Sequence, residues 1–460
     1  MNLTAPLSKT SFWFLSRCYY KYAVAGTLVF LLLQASAFAQ DDWARWRGPE
    51  GNGIAAKDQS PPTTWTGDDD FVWKIKLPGK GHASPTIVGD QIFLATSDPG
   101  KGTQTVICYD RKTGDEQWQK TLNESGGLRK GIHPSNTHAS QTIATDRKSI
   151  FAVFSHHGKI ELYCLTLGGE KRWSKVVGQY KPKYGFGYGT SPIVYEDKVI
   201  VCNENQSEGG LYAYNTESGD LTWKIDRGPT TSWSVPVVAT VAGKKQLLIS
   251  GGKSVKSYNP DNGEENWSLP ASWTVTCATL VWDGDMVFAS GGFPTQQTLA
   301  IDAKKEKMIW TNPTKCYEQS MLVVDGHLYG VDERGFANCW RLEDGKRCGK
   351  PELVVVVQPE PVHLRYSPTT IFMFLAKTAT LWSLRSTRKN SRKLPPTYWA
   401  PQCLLRSRFA ATRFLLAMLT NHRDTSYALV KSSKNGCFGF ASWSFGFASW
   451  GSEFTAEPEF

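Results

Sequence analysis

Six times along this chain a strand-like run ends in a polar turn, and in the first five a tryptophan closes the phrase. It reads Cys108-Tyr109-Asp110…Gly114…Trp118, then Leu165…Gly169…Trp173, Tyr214-Asn215…Gly219…Trp223 and Tyr258-Asn259…Gly263…Trp267. Ile301-Asp302…Trp310 follows without the glycine. The sixth copy starts with Trp340-Arg341-Leu342…Gly345 but carries Gly349 where the tryptophan belongs. Recurrence every roughly 40–55 residues predicts one four-stranded blade per copy, and so an all-β propeller.

Each copy has a hairpin upstream. Ser84-Pro85-Thr86-Ile87-Val88 leads through Gly89-Asp90 into Gln91-Ile92-Phe93-Leu94-Ala95, and Ser191-Pro192-Ile193-Val194-Tyr195 leads through Glu196-Asp197 into Lys198-Val199-Ile200-Val201. Leu280-Val281-Trp282 and Met321-Leu322-Val323-Val324 are likewise followed by Asp-Gly turns and a second apolar run. Such turns between β-rich runs predict antiparallel hairpins. Trp118, Trp173, Trp223, Trp267 and Trp310 are expected on the outermost strands, packing blade against blade rather than binding a ligand. No helix of useful length is expected between 40 and 347. Two long loops break the rhythm, 123–137 and 180–189, and long loops on a rigid β frame commonly carry specificity.

Charge and cysteine usage narrow the field. The formal net charge is +10. Residues 1–39 contribute +3 and residues 348–460, with fourteen Lys/Arg and six Asp/Glu, contribute +8, which leaves −1 for the repeats. A near-neutral repeat region argues against nucleic acid as a partner. Arg17 and Lys21 precede an apolar run, Ala23 to Leu33, and Ala37-Phe38-Ala39 is a small-x-small cleavage site. Residues 1–39 thus read as a secretory signal, giving a periplasmic or secreted protein. The run is short for a membrane span, which needs about 20 residues, so no stable membrane insertion is expected. Ten cysteines include no adjacent pair and no C-x-x-C spacing. Buried free thiols are the expected state, with no metal site.

These phrases, with the Ser-Pro strands before them, resemble the pyrroloquinoline-quinone-type (PQQ) repeat. Trp46-Arg47-Gly48-Pro49…Gly51-Asn52-Gly53, Val72-Trp73-Lys74 and Gly81-His82-Ala83-Ser84-Pro85 are similar to stretches of secreted bacterial PQQ-like propellers. Those proteins are related to the outer-membrane assembly propeller and to quinoprotein dehydrogenases. The resemblance covers about residues 41–347. It implies eight blades in intact relatives, with the strand around Val72-Trp73-Lys74 closing the ring beside the last C-terminal strands. About six blades are recognisable here. The domain reading is therefore a signal at 1–39, an incomplete PQQ-like propeller at 40–347 and an aberrant basic tail at 348–460.

After Arg347 the composition changes. Asp is absent until Asp424, Asp-Gly turns vanish, and Arg388-Lys389…Arg392-Lys393 clusters charge unsuited to a blade core. A disordered tail, a membrane-binding tail and a frameshift are the three readings. The genetic code favours the last. Joining the third base of each codon to the first two of the next turns Cys348-Gly349 into YGG, which is Trp for one Cys codon. The same shift permits Asp-Asp-Tyr-Ile-Tyr-Val across Pro368–Phe374 and Asp-Gly-Asp-Thr-Leu-Val across Lys377–Ser383. Ser426–Val430 permits a closing strand. As translated, the tail is expected to be of low order and the ring open, with exposed strand edges.

No catalytic motif stands out: there is no Walker loop, H-E-x-x-H, G-x-S-x-G or zinc spacing. Residues just before the inner strands, His82, His138, Tyr188, Trp233, Trp273 and Glu318, could line a binding funnel at the channel mouth, or simply pack there. His156-His157 reads as an exposed strand end, because consecutive strand side chains face opposite ways. Two function classes follow. One is a non-catalytic extracytoplasmic propeller binding a protein, peptide or glycan. The other is a PQQ-dependent dehydrogenase, for which the resemblance implies adjacent cysteines, a calcium carboxylate and a catalytic Asp. The first needs no cofactor, whereas the second needs PQQ with calcium.

Overall fold

A computed structural model describes residues 42–55, 72–133, 136–332 and 336–349, with the backbone of Phe71 and of five short strands between 352 and 431. The signal reading lies outside the described residues. No α-helix occurs among the described residues, and six four-stranded antiparallel sheets follow one another along the chain. Blade 1 is Thr86–Val88, Gln91–Asp98, Thr103–Asp110 and Glu116–Asn123; blade 2 is Ala144–Thr145, Ser149–His156, Lys159–Thr166 and Lys171–Gln179. Blade 3 is Ile193–Tyr195, Lys198–Glu204, Gly209–Asn215 and Leu221–Asp226; blade 4 is Val237–Val241, Lys244–Gly251, Ser254–Tyr258 and Glu265–Pro270. Blade 5 is Val281–Asp283, Met286–Gly291, Gln297–Asp302 and Lys307–Asn312; blade 6 is Leu322–Val324, His327–Val331, Phe336–Arg341 and Glu352–Leu353. A small extra pairing, Trp273–Val275 with Phe293–Pro294, sits beside blade 5. This is the all-β, blade-by-blade propeller architecture that the repeat predicts.

Burial explains the composition of each strand. Second and third strands, such as Gln91–Asp98 and Lys159–Thr166, are buried on both faces and read as near-continuous apolar runs. Outer strands such as Glu116–Asn123 and Leu221–Asp226 expose one face and alternate accordingly. Neighbouring blades share clusters. Phe93, Val106 and Cys108 of blade 1 pack with Ile150, Ala152 and Leu165 of blade 2.

The recurring turn and tryptophan form one device. Asp110 Oδ1 accepts from Lys112 N (2.8 Å) and Thr113 N (3.0 Å), and Gly114 N donates to Asp110 O (2.9 Å) at φ +78°. Asn215 and Gly219 repeat this geometry in blade 3. The positive φ favours glycine, and so does the neighbour. A Cβ on Gly169 would lie 2.7 Å from Trp118, and one on Gly219 2.7 Å from Trp173. Each indole also donates to the carbonyl just after the turn's first residue: Trp118 to Leu167 (3.0 Å), Trp173 to Thr216 (3.2 Å), Trp223 to Pro260 (3.1 Å) and Trp310 to Leu342 (2.7 Å). The tryptophan of one blade is thereby fastened to the turn of the next. None of the five is exposed; Trp223 and Trp267 are buried, and Trp118, Trp173 and Trp310 are half-buried. Trp267 is the exception in bonding. The next turn has Glu306 at φ +52° in place of glycine, and Trp267 donates instead to Gln246 Oε1 of its own blade (2.9 Å).

The N-terminal strand supplies a further copy. Trp73, in Phe71–Leu77, donates to Arg111 O (3.1 Å), and a Cβ on Gly114 would meet its ring at 2.7 Å. Phe71–Leu77 pairs antiparallel with Thr425–Lys431, which pairs with Leu416–Asn421. Met373–Leu375 pairs with Leu381–Ser383. Apart from Cys348, Gly349 and the backbone of these short strands, the low-order reading of 348–460 lies outside the described residues. At the other end of the repeat, Gly349 occupies the tryptophan register, and a Cβ there would meet nothing within 4 Å.

Residues 42–55 contact all six blades. Trp43 exchanges two backbone hydrogen bonds with Ile87, both 3.0 Å, and Asp42 accepts from Gly89 N and pairs with Arg147 (2.8 Å). Arg45 reaches Val194 O (3.3 Å), Trp46 Nε1 donates to Thr279 Oγ1 (2.9 Å), and Arg47 donates to Met321 O (2.7 Å) and Asn52 O (2.6 Å). A Cβ on Gly51 would lie 3.8 Å from Val237. The segment thus crosses the surface formed by the inner strands and ties each of them to one short stretch of chain.

Candidate ligand-binding face

In an up-down blade, the loop leading to the next blade and the turn between second and third strands lie at the same end. The two long loops meet there. His133 N donates to Gly185 O (2.7 Å), Arg129 Nη1 to Pro182 O (3.0 Å), and Asn136 Nδ2 to Phe186 O. Both loops are anchored below: His157 N donates to Gly127 O (2.7 Å), and Lys183 N to Gln206 Oε1 (2.7 Å). Phe186 is the hub. Its ring lies 5.8 Å from His133, 6.1 Å from Tyr184 and 5.6 Å, edge-on, from Trp233. Arg129, Lys130, Lys181 and Lys183 stand exposed around these rings, and Lys183 Nζ lies 5.9 Å from the Tyr184 centroid. The loops carry a single acid, Glu124. The face is therefore aromatic at its centre and cationic at its rim, a pattern suited to anionic or aromatic groups.

The expected funnel residues scatter across several environments. Trp233 joins the face, its Nε1 donating to Gly187 O (2.8 Å). Tyr188 lies beneath it, buried, with its hydroxyl on Cys202 O (2.7 Å); burial holds its phenol well above the ordinary value. His82 and His138 are partly buried beside blades 1 and 2. His82 N donates to Ala139 O (3.0 Å), and burial lowers the His138 imidazole. Glu318 lies near Cys277, whose thiol is pushed up by burial and then by that carboxylate. Trp273 is fully buried, with Gly291 pressed against its ring, and so packs in the core shared by blades 4 and 5. Trp233 and Tyr188 thus come together, while the other four do not join them.

His156-His157 needs correction. His156 ends a strand and is buried, but His157 turns at φ +50°, so the strand alternation does not apply. The two Nδ1 atoms face each other at 3.0 Å, and His156 Nε2 lies 2.9 Å from Tyr163 OH. The sequence flagged both long loops but singled out neither Tyr184, Phe186, Lys181 nor Lys183. Their signal was present in the alternation Tyr-Lys-Pro-Lys-Tyr-Gly-Phe-Gly-Tyr-Gly.

Among the described residues no three His, Cys, Asp or Glu side chains converge to hold a metal. The chain has no adjacent cysteines, and the thiols of Cys108, Cys164, Cys202 and Cys316 are buried singly. Among the described residues no helix is long and apolar enough to cross a membrane.

A quinoprotein alcohol dehydrogenase, PedH of Pseudomonas putida, is 23% identical over 208 residues, covering 43% of this chain and 32% of that protein. The chain thus spans about a third of that relative's length. Among solved structures, BamB from Moraxella catarrhalis aligns with TM-score 0.47 and 13% identity, over 79% of this chain and 99% of that one. A europium-containing methanol dehydrogenase aligns with TM-score 0.38 and 13% identity, over 69% and 59%. Residues 64–183 and 102–348 match the family described as outer membrane protein assembly factor BamB, and the chain belongs to that PQQ-repeat family.

Proposed function

We propose that this chain is a non-catalytic extracytoplasmic propeller that binds an acidic segment of a partner protein through the face built from residues 123–137 and 180–189. The observation that carries this reading is the pairing of an aromatic hub, Phe186 with Trp233, Tyr184 and His133, with four exposed cations and one acid on the same two loops. Side chains of this kind form interface anchors, and cations at the rim steer an acidic partner. The dehydrogenase reading has only part-length similarity behind it. Export through residues 1–39 belongs to the same proposal, and a mature N-terminus near Gln40 would support it.

A fluorescein-labelled Glu/Tyr-rich peptide, titrated by polarisation, tests the binding. Saturable binding should weaken at least tenfold in Lys181→Glu/Lys183→Glu and in Phe186→Ala, and fade as salt rises. Equal affinity in wild type and both variants would refute this site.

A further inference from the structure

In each of the first five blades the residue opposite the fastening tryptophan is small: Cys108 faces Trp118, Cys164 faces Trp173, Ala213 faces Trp223, Ser257 faces Trp267 and Ala300 faces Trp310. The small side chain leaves room for the indole, which in turn seals it. Cys108 and Cys164 are accordingly 0% exposed. Cys339 occupies this slot in blade 6, but Gly349 provides no indole, and Cys339 is partly exposed.

What lies against Cys339 instead is Cys348. Cys348 N donates to Cys339 O (2.8 Å), Arg341 N donates to Lys346 O (3.0 Å), and Trp340 bridges Arg347 between them. Cys348 thus sits beside Cys339 on the adjoining stretch of chain, in the extra position that Gln117 holds next to Cys108 in blade 1. In that position of blade 1 the Gln117 side chain reaches Cys108 Sγ, 3.5 Å from Oε1, and strands spaced about 4.8 Å apart fall inside the roughly 4.4–6.8 Å Cα window that a disulfide spans. The thiols already interact: burial, then the Cys348 thiol, pushes Cys339 up to about 12. Cys348 is the exposed partner, whereas Cys108, Cys164, Cys202 and Cys316 are shielded.

We propose that Cys339 and Cys348 are a disulfide-forming pair, oxidised by a disulfide donor such as glutathione disulfide or a protein carrying an oxidised Cys-x-x-Cys. The Cys348 thiolate attacks one sulfur of the donor, and the first donor thiol leaves with the electron pair. The Cys339 thiol then loses its proton and attacks Sγ of Cys348, expelling the second donor thiol. Two electrons and two protons pass to the donor, which leaves as two thiols. The bond ties the third strand of blade 6 to the chain entering its fourth, one residue before the register where the other blades use tryptophan. It requires an oxidising donor, not the binding role proposed above.

Peptide mapping of the full-length protein tests this. After incubation with oxidised glutathione, alkylation and tryptic digestion without reductant, residues 335–341 should appear joined to 348–365, since trypsin spares the Lys350-Pro351 bond, two hydrogens lighter than the separate peptides. Dithiothreitol should release them. Cys339→Ser should leave Cys348 as a stable glutathione adduct, because the displacing thiol is gone. Alkylation of Cys108 and Cys164 only after denaturation reports that the fold is intact. Cys348 joined to Cys403, Cys437 or a second chain, or left as an adduct beside a reduced Cys339 in the wild type, would overturn the assignment.

Discussion

Trp118 of blade 1 lies so close over Gly169 of blade 2 that a single added Cβ would sit 2.7 Å from the indole. The same indole donates to Leu167 O at 3.0 Å, and Gly169 has φ +88°. Gly169→Ala should therefore suffer both a left-handed backbone and a clash. We expect a loss of about 1–3 kcal/mol, read as a lower urea midpoint with unchanged slope.

Blades 3 and 4 offer a matched comparison. Trp223 is buried and fastened to Pro260 O of the next blade, so Trp223→Ala should cost about 3–5 kcal/mol. Trp267 bonds within its own blade because Glu306 holds the glycine position. Glu306→Gly relieves a left-handed residue and should stabilise by about 0.5–1 kcal/mol, the backbone relief being partly offset by the freer unfolded chain. Equal or lower stability for Glu306→Gly, by the same urea titration, would refute the role given to that turn.

The edge-on imidazoles of His156 and His157 give a pH dependence. Burial lowers His156, opposed by Glu161 and reinforced by Lys159 and His157, so the fold favours its neutral form. The unfolded chain then binds more protons between the unfolded value, about 6.5, and the lower folded one. Stability should therefore fall as pH drops through that window. His133 and His138 are also lowered by burial and act in the same direction. His156→Gln should flatten part of the pH 7 to 5 loss in melting temperature; an unchanged slope would count against this origin.

How legible the molecule was depends on what each residue's neighbours are. The fold could be read because its signal is local and repeated: Asp110, Asn215, Asn259 and Asp302 each set the same turn, and the tryptophan follows in register. The role of Trp73 was harder to see, since its blade is assembled from strands some 350 residues apart in sequence. Contacts from Arg45, Trp46 and Arg47 to blades 3, 5 and 6 carry no periodicity at all. The candidate face was half legible. Loop length marked where it would be, but only the fold brings Phe186 onto Trp233, and only the buried Gly291 contact removes Trp273 from the funnel.

The break at Gly349 makes a genetic prediction. An open space stands where a Cβ at 349 would go, and the repeat calls for tryptophan there. Reading the gene one base out of phase after codon 348 should restore tryptophan and Asp-Gly turns, and expression of that version should raise the melting temperature and soluble yield. An early stop codon in that frame, or no alternating strands, would show the tail to be a genuine extension.

The claim of a non-catalytic binder is tested most directly by titrating the purified protein with PQQ and calcium while following dye reduction with a primary alcohol. Neither saturable quinone binding nor dye reduction should appear, because the described residues offer no converging metal ligands and the chain has no adjacent cysteines. Saturable PQQ binding at micromolar concentration, with dye reduction that tracks it, would contradict the account.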